Sequence, residues 1–271
     1  MFTITRNGLE AIQKDLGVIS NNIANANTNG FKRSRSEFVD MYSKALSDNP
    51  NNQSGLGALF QGTQKQMIQG SPIMTGGALD LNISGRGFFV LSPKVGSEPR
   101  FTRDGSMGLD AYGNLITTDG FNIAGYKRDE IDGIIKTIAD PINIPLSITN
   151  NEGRTVTLTA IGVDPEGNIE TTYGLNNIIA RGQIALAKFS NESALKSVGA
   201  NTYKATQKSG EQVLGSGLEG NFGEIISGAL ESSNTNISNE MVSLLKTQQA
   251  FNGNARILQA SVDLTKILMG N

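Results

Sequence analysis

The sequence contains no cysteine, histidine or tryptophan among its 271 residues. Without cysteine the chain can form neither a disulfide framework nor a thiolate nucleophile. The missing histidine also excludes Cys/His metal sites and Ser-His-Asp or Cys-His catalysis. Aromatic residues make up only 6% of the chain, whereas glycine occurs 32 times. Such a turn-rich composition with a light core is more usual for β-sheet or assembly proteins than for an enzyme with a deep pocket.

The sequence also lacks a charge excess and a long apolar run. Its 23 Lys and Arg against 25 Asp and Glu give a net charge of −2, which does not suggest nucleic-acid binding or a polybasic membrane surface. No stretch approaches the roughly 18 apolar residues that a membrane-spanning helix needs. The first residues, MFTITRNGLEAIQKDLG, show no basic region followed by a continuous apolar one. We therefore expect no membrane insertion and no cleaved signal peptide.

Both ends of the chain show apolar residues at alternating spacings of three and four. The N-terminal series is Phe2, Leu9, Ile12, Leu16, Ile19, Ile23 and Ala26, and the C-terminal series is Ile237, Met241, Leu244, Phe251, Ala255, Leu258, Val262 and Met269. Such a narrow stripe is typical of a coiled-coil seam, although two amphipathic helices on one globular core would also show it. Asn236 or Ser238 is a suitable N-cap for the second helix, and Glu240 lies in its first turn.

The middle of the chain shows the pattern of antiparallel β structure. ALDLNISGRGFFVLS begins with alternating residues at Leu79 and runs into an apolar strand. Turn residues then separate short strands at Asp104-Gly105, at Tyr112-Gly113-Asn114 and at Asp119-Gly120, and RTVTLTAIGVDPEGNIETTY repeats the scheme. GQIALAKF predicts a further strand. We predict an α+β fold with terminal helices in a coiled-coil inner domain and a central, mainly antiparallel β domain.

Two segments rich in Gly, Ser, Asn and Gln join the helices to the β domain. We expect them to be extended connectors with little structure of their own. The predicted domains are therefore discontinuous. They are an inner domain of residues 1–30 and 236–271, connectors of residues 31–75 and 206–235, and an outer β domain of residues 76–205.

Three motifs that suggest binding or catalysis have a simpler interpretation. SGRGFF lacks the third glycine and the following helix of a dinucleotide site, because Phe88 and Phe89 continue a strand. Asp80, Asp104, Asp110 and Asp119 would make a carboxylate site on paper, but most of them adjoin turns. FKRSR, residues 31–35, is a short basic run that is more often a solvated or interface patch than a phosphate site. We expect no catalytic residue, cofactor or metal.

The segment LGVISNNIANANTNGFKRSRSEFVDMY places many asparagines on and beside the first helix. Asparagine is a poor helix former, because its amide competes for backbone hydrogen bonds. Among neighbouring copies, however, Asn22 and Asn25 would offer donors and acceptors to several partners and fix register. Asn29-Gly30 is then expected to end the helix, since both residues tolerate the left-handed conformation.

Four ordered blocks of the sequence resemble one family. SNNIANANTNGFKRSRSEFVDMY is similar to the N-terminal signature of the bacterial flagellar rod and hook proteins. ALDLNISGRGFFVL, FTRDGSMGLDAYGNLIT and GALESSNTNISNEMVSLLKTQQAFNGNARILQASVDL resemble the later blocks in the right order. One departure is Gly253, where a residue like alanine would be expected inside a helix. It is expected to weaken that helix locally by about 1 kcal/mol.

The resemblance implies a structural subunit and no catalysis. It implies a helical homopolymer in the flagellar basal body, between periplasm and cell exterior. It also implies other rod and hook proteins as neighbours, outer ring proteins around a distal rod, and export by the flagellar type III apparatus without a cleaved signal peptide. The terminal helices would be disordered in the monomer and pair as an inner tube on assembly, because a seam without its own core orders only when neighbours bury it.

The chain has room for one outer β domain, which favours a rod subunit, and the distal type over the proximal one. A short hook protein is the alternative, since the segments FVDMY and FNIAGYKRD resemble hook protein sequences. A secreted β-domain enzyme or adhesin with helical tails is an alternative from another class. The expected assembly interface consists of Leu9, Ile12, Leu16, Ile19, Asn22, Ile23, Asn25, Met241, Leu244, Phe251, Leu258 and Val262. The expected anchors of the first connector are Leu56, Leu59, Phe60, Met67 and Ile68.

Overall fold

The computed structural model describes residues 2–42, 55–92, 98–129, 133–149, 153–174, 177–268 and 270. They form two compact units, each assembled from segments that are distant in the chain. The helical unit comprises residues 1–26, 33–66 and 235–271, and the β unit comprises residues 27–32 and 67–234. The predicted α+β class is confirmed, with a helix at each end and antiparallel strands between them.

The helical unit contains two helices and one β-hairpin. Its elements are α1 (Phe2–Ala24), β1 (Ser34–Tyr42), β2 (Gly55–Lys65) and α2 (Ile237–Leu268). Strands β1 and β2 pair antiparallel from Ser34↔Lys65 to Tyr42↔Gly55, with a bulge after Glu37 and another after Met41. This hairpin corrects the expectation that the first connector has no structure of its own. Residues 43–54 of that connector lie outside the described residues.

The two helices begin and end for identifiable reasons. Asn236 caps α2, because its Oδ1 accepts the Asn239 backbone N–H at 3.1 Å. Helix α1 ends at Ala24, five residues before the predicted Asn29. Both the backbone N–H and the side-chain amide of Asn25 donate to the Asn21 carbonyl, at 3.1 and 2.9 Å, so the amide competes for a helix acceptor.

The β unit contains strands β3 to β20. The first nine are β3 (Pro72–Met74), β4 (Leu81–Ser84), β5 (Phe88–Leu91), β6 (Arg100–Thr102), β7 (Met107–Leu109), β8 (Leu115–Thr117), β9 (Ala124–Asp129), β10 (Gly133–Pro141) and β11 (Ser147–Thr149). The others are β12 (Thr155–Val163), β13 (Asn168–Tyr173), β14 (Asn177–Ile184), β15 (Leu186–Lys188), β16 (Lys196–Ser197), β17 (Thr202–Lys204), β18 (Val213–Gly215), β19 (Glu224–Ser227) and β20 (Ala229–Glu231).

These strands form two six-stranded sheets and three short pairs. The sheet orders are β10-β9-β14-β13-β12-β11 and β16-β17-β6-β5-β15-β18, and the pairs are β19-β4, β20-β3 and β7-β8. Strand β5 is buried along its whole length. Because side chains alternate across a strand, Phe89 and Leu91 join one apolar cluster while Phe88 and Val90 join another. This explains why FFVL is a continuous apolar run rather than an alternating one.

The return segment, residues 206–235, is not an extended connector. Its strand β18 pairs with β15, β19 pairs with β4, and β20 pairs with β3. Ile225 of β19 lies in the same apolar cluster as Leu81 and Ile83 of β4. The core of the β unit therefore extends nearly to the start of α2.

The β unit contains one hairpin twice. Residues 108–120 and 162–174 are identical at seven of thirteen aligned positions, in the pattern Gly-x-Asp-x-x-Gly-Asn-x-x-Thr-Thr-x-Gly. The strand registers correspond as well, with Met107↔Thr117 in one copy and Ile161↔Thr171 in the other.

The two turns of these hairpins use the same hydrogen bonds. Asp110 Oδ1 accepts the Asn114 backbone N–H at 2.7 Å, and Asp164 Oδ1 accepts the Asn168 backbone N–H at 2.8 Å. In each turn the asparagine Nδ2 donates to the other carboxylate oxygen at 2.8 Å. The turn aspartates are thus structural, as the sequence predicted.

Candidate assembly interface

The two helices of the helical unit pack against each other in antiparallel orientation. Thr247 Oγ1 donates to Asp15 Oδ2 at 3.2 Å, and Asn22 Nδ2 donates to Glu240 Oε2 at 3.2 Å. The predicted interface residues differ in burial. Ile19 and Asn22 are buried, Leu9, Ile12, Leu16, Ile23, Asn25, Leu244, Phe251 and Leu258 are half-buried, and Met241 and Val262 are exposed. The N-terminal part of the seam thus has partners within its own chain.

Helix α2 also carries a second apolar row, which the sequence analysis missed. Val242, Leu245, Ile257 and Leu264 lie outside the predicted seam, and their exposed fractions range from 50% to 60%. The sequence contained this signal, because each of these residues lies one or two positions from a seam residue. A helix that is apolar on more than one side is typical of one surrounded by other protein. This chain leaves that row uncovered.

Asn22 explains one of the amides in α1. Its Oδ1 accepts the Ser34 backbone N–H at 2.9 Å, and its Nδ2 donates to the Ser34 carbonyl at 2.8 Å as well as to Glu240. Both amide hydrogens are therefore used within the chain, joining α1 to β1 and α2. This corrects the interpretation that the Asn22 amide donates to neighbouring copies. Arg33 also reaches Glu240, with 3.4 Å between Nη1 and Oε1.

The expected connector anchors divide into two groups. Leu56 and Phe60 of β2 are half-buried, and the rings of Phe60 and Phe38 meet edge to face at 6.0 Å. Met67 packs against an apolar cluster of the β unit. Leu59 and Ile68 are 47% and 69% exposed and are therefore the two anchors available for an outside contact.

The basic run FKRSR is not simply a solvated patch, because Lys32 is buried. Its Nζ lies 2.5 Å from Glu231 Oε1 and donates to the Ile68 carbonyl at 2.8 Å. Arg103 Nη1 lies 3.5 Å from the other oxygen of Glu231, and its guanidinium is stacked 5.0 Å from the Phe88 ring centroid. Burial lowers the pKa of Lys32, although the Glu231 carboxylate opposes that shift. This cluster is structural and holds the β unit together.

Within the described residues, no group of three or more acidic side chains is arranged to hold a metal ion. Likewise, neither described helix is long and apolar enough to cross a membrane. What the helical unit does present is an exposed apolar surface on α2. Exposed apolar surfaces of this kind are typical of protein–protein contacts.

Three family models match this chain. Residues 3–32 match the flagella basal body rod protein model, residues 82–171 match the flagellar hook protein FlgE/F/G D1 domain, and residues 226–270 match the flagellar basal body rod FlgEFG protein C-terminal model. The two terminal matches include α1 and α2. The central match lies in the β unit.

Rod proteins of other bacteria match this chain over nearly its full length, and a hook protein matches about half of it. The flagellar basal-body rod protein FlgG of Buchnera aphidicola subsp. Acyrthosiphon pisum is 33% identical, covering 95% of this chain and 94% of its own. FlgG of Agrobacterium fabrum is 32% identical, covering 99% and 97%. The flagellar hook protein FlgE of Helicobacter mustelae is 42% identical over 144 residues, which are 49% of this chain and 32% of its own.

A solved structure, the Helicobacter pylori flagellar hook protein FlgE2, covers 74% of this chain and 43% of its own, with 13% identity and a TM-score of 0.25. That likeness is too low to bear on the fold. The sequence matches are decisive, since they extend through both terminal helices and the β unit. The chain belongs to the family of flagellar basal-body rod and hook proteins, and its full-length relatives include the rod protein FlgG.

Proposed function

We propose that this chain is a structural subunit of the flagellar rod, the drive shaft that transmits torque from the motor to the hook and filament. The observation that carries this proposal is the second apolar row on α2, with Val242, Leu245, Ile257 and Leu264 each at least half exposed. Burial of apolar surface is the main driving force of protein association. A helix that exposes such a row to water gains free energy when another molecule covers it.

The extent of the relatives favours a rod over a hook. Rod proteins named FlgG match nearly the whole chain, whereas the hook protein of Helicobacter mustelae matches over 144 residues, about half of it. We therefore propose the distal rod. A short hook protein stays the second candidate. The hook protein of Helicobacter mustelae is 42% identical over its 144 matched residues, whereas the FlgG rod proteins are 32% and 33% identical over nearly the whole chain.

In the proposed assembly α1 and α2 form the inner tube as a coiled coil, and the β unit forms the outer layer. The seam residues other than Ile19 and Asn22, together with the second row of α2, lie between copies there. The proposed anchors Leu59 and Ile68 also contact a neighbouring copy, because both are exposed apolar residues. Other rod and hook proteins join the ends of the tube, and outer ring proteins surround a distal rod. The type III apparatus exports the chain.

The experiment introduces a charge into the seam. Leu16→Asp or Leu258→Asp places an unpaired carboxylate in an interface, which costs several kcal/mol. We expect both variants to lose assembly and motility while the β unit still folds. The matched control is Gln259→Asp, which adds the same charge at the adjacent exposed position of α2. Normal rods in the Leu258→Asp strain would rule out an inner tube built on this seam.

A further inference from the structure

The helical unit contains an apolar groove where α1, α2 and the hairpin meet. Its volume is about 450 Å³. A cavity of about 150 Å³ already accepts a benzene-sized group, so one branched side chain fits easily. The apolar lining is formed by Gly8, Ala11, Ile12, Phe38, Ala58 and Ala250. Two charges of opposite sign also line it, Asp15 from α1 and Lys246 from α2.

The last two turns of α2 show the complementary features. Ile267 is 76% exposed. Asp263 lies one helical turn before it on the same face, and Lys266 is its neighbour in the chain. This tip thus combines an apolar side chain with one carboxylate and one ammonium group. The groove combines an apolar hollow with the same two charges.

We propose that the groove receives the tip of α2, centred on Ile267, from a second copy of this chain. In this contact Asp263 of one copy approaches Lys246 of the other, and Lys266 approaches Asp15. The carboxylate of Asp15 already accepts the Thr247 hydroxyl, but two carboxylate oxygens have room for further donors. The inference rests on the proposed function, since it names a specific contact within the polymer.

The geometry of this contact leads to an open chain of copies. Groove and tip are different surfaces, and with near-parallel α2 helices only one tip can enter one groove between any two copies, so the contact is heterologous. On α2 the groove centres near Thr247, about 20 residues before Ile267. At 1.5 Å per residue, near-parallel helices of neighbouring copies are displaced by about 30 Å along the axis. The same contact repeats from copy to copy and builds a filament.

Cysteine cross-linking tests the contact directly, because the chain contains no cysteine of its own. Full-length Ile267→Cys and Ala250→Cys proteins are mixed under polymerising conditions and oxidised, and covalent dimers are read on a non-reducing gel. We expect the mixture to cross-link and each protein alone to give at least fivefold less. Leu268→Cys is the matched control, since it is 85% exposed but points about 100° away on the helix. Equal cross-linking of Leu268→Cys and Ile267→Cys would overturn the inference.

A charge exchange provides the second measurement. Lys246→Asp and Asp263→Lys should each raise the concentration needed for polymerisation roughly fivefold, and the double variant should restore it. Polymers that contain the Ile267→Cys and Ala250→Cys proteins but give no cross-link between them would refute this contact and leave the rod proposal standing. If the unmodified chain forms no polymer alone or on isolated flagellar rods, the rod proposal itself fails.

Discussion

Lys32 and Glu231 are 199 residues apart in the sequence, yet their Nζ and Oε1 atoms lie 2.5 Å apart and both side chains are only 1% exposed. The same Glu231 accepts the Gly70 backbone N–H at 2.8 Å, and its own carbonyl accepts the Gly30 N–H at 2.8 Å. One carboxylate thus joins the segment after α1, the segment after β2 and the last strand of the β unit. These contacts hold three distant segments of the β unit together.

Removing this carboxylate should be costly. Glu231→Gln leaves the Lys32 and Arg103 cations buried without their anionic partner, and breaking such a buried pair costs about 3–5 kcal/mol. Glu98→Gln is the control, because the Glu98 side chain is 77% exposed and its pair with Lys204 contributes at most about 1 kcal/mol. Urea unfolding followed by tyrosine fluorescence measures both. Equal losses of stability in the two variants would show that the buried pair contributes no more to the free energy of unfolding than the Glu98–Lys204 pair.

Local features of this cluster were visible in the sequence, but its partners were not. FKRSR shows a basic run, yet nothing near it indicates an acidic partner 199 residues away. The turns at Asp110 and Asp164 were predictable, because each is closed by residues within four positions. The short strands of the return segment were missed, since strands of three or four residues show too little alternation to stand out from glycine-rich sequence. Sequence reasoning succeeded where the hydrogen-bond partners are local.

The same contrast applies to the candidate interface. A series spaced by three and four predicted both terminal helices. It did not reveal Leu245 or Ile257, because a search for one narrow stripe ignores apolar residues on the remaining sides. The role of Asn22 depends on Ser34 and Glu240, which tertiary folding brings together.

A fragment comparison tests the extent of the β unit. The sequence predicted a β domain of residues 76–205, but this span omits β18, β19 and β20 and the buried side chain of Ile225. We expect residues 27–234 to give a cooperative thermal transition and dispersed amide NMR signals. Residues 76–205 should melt without a sharp transition. A native-like spectrum of the shorter fragment would mean that the return strands are dispensable.

Replacing glycine by alanine should change stability in opposite directions in the two units. A Cβ at Gly253 or Gly17 meets no atom within 4 Å, so alanine should stabilise the helix by roughly 0.5–1 kcal/mol. At Gly30, where φ is +65°, a Cβ would lie 2.6 Å from the Asp104 backbone nitrogen, and alanine should destabilise the β unit. Thermal melts of the three variants, followed by circular dichroism, decide the signs. A neutral Gly30→Ala variant would contradict this contact.

The pKa values of two aspartates should be shifted in opposite directions. The hydrogen bond from the Asn114 side chain lowers the pKa of Asp110 below its usual 3.8, whereas burial raises the pKa of Asp104 above it. Asp110 therefore contributes stability that is present above pH 3.8 and lost as the pH falls through its folded pKa. The contribution of Asp104 is present below pH 3.8 and is lost as the pH rises through its folded pKa.

Carboxyl-carbon NMR titration of the β unit measures both values. In the Asp110→Asn variant, the loss of folding stability that Asp110 causes at acidic pH should disappear, while the titration of Asp104 should be unchanged. If Asp110 titrates above Asp104, the assignment of causes is wrong.

Replacing two asparagines separates contacts within the chain from contacts between copies. Asn22→Asp removes the Nδ2 donor to Ser34 and Glu240 and places a carboxylate beside the buried Glu240. Loss of buried hydrogen bonds and like-charge repulsion should lower the melting temperature of the helical signal by several degrees. Asn25→Asp is the matched control, because the Asn25 amide donates to Asn21 of its own helix at 2.9 Å and is half-buried. Circular dichroism at 222 nm measures both variants, in the monomer and in the polymer. A defect of Asn22→Asp confined to the polymer would show that Asn22 acts between copies, whereas a defect in both states places its role inside the subunit.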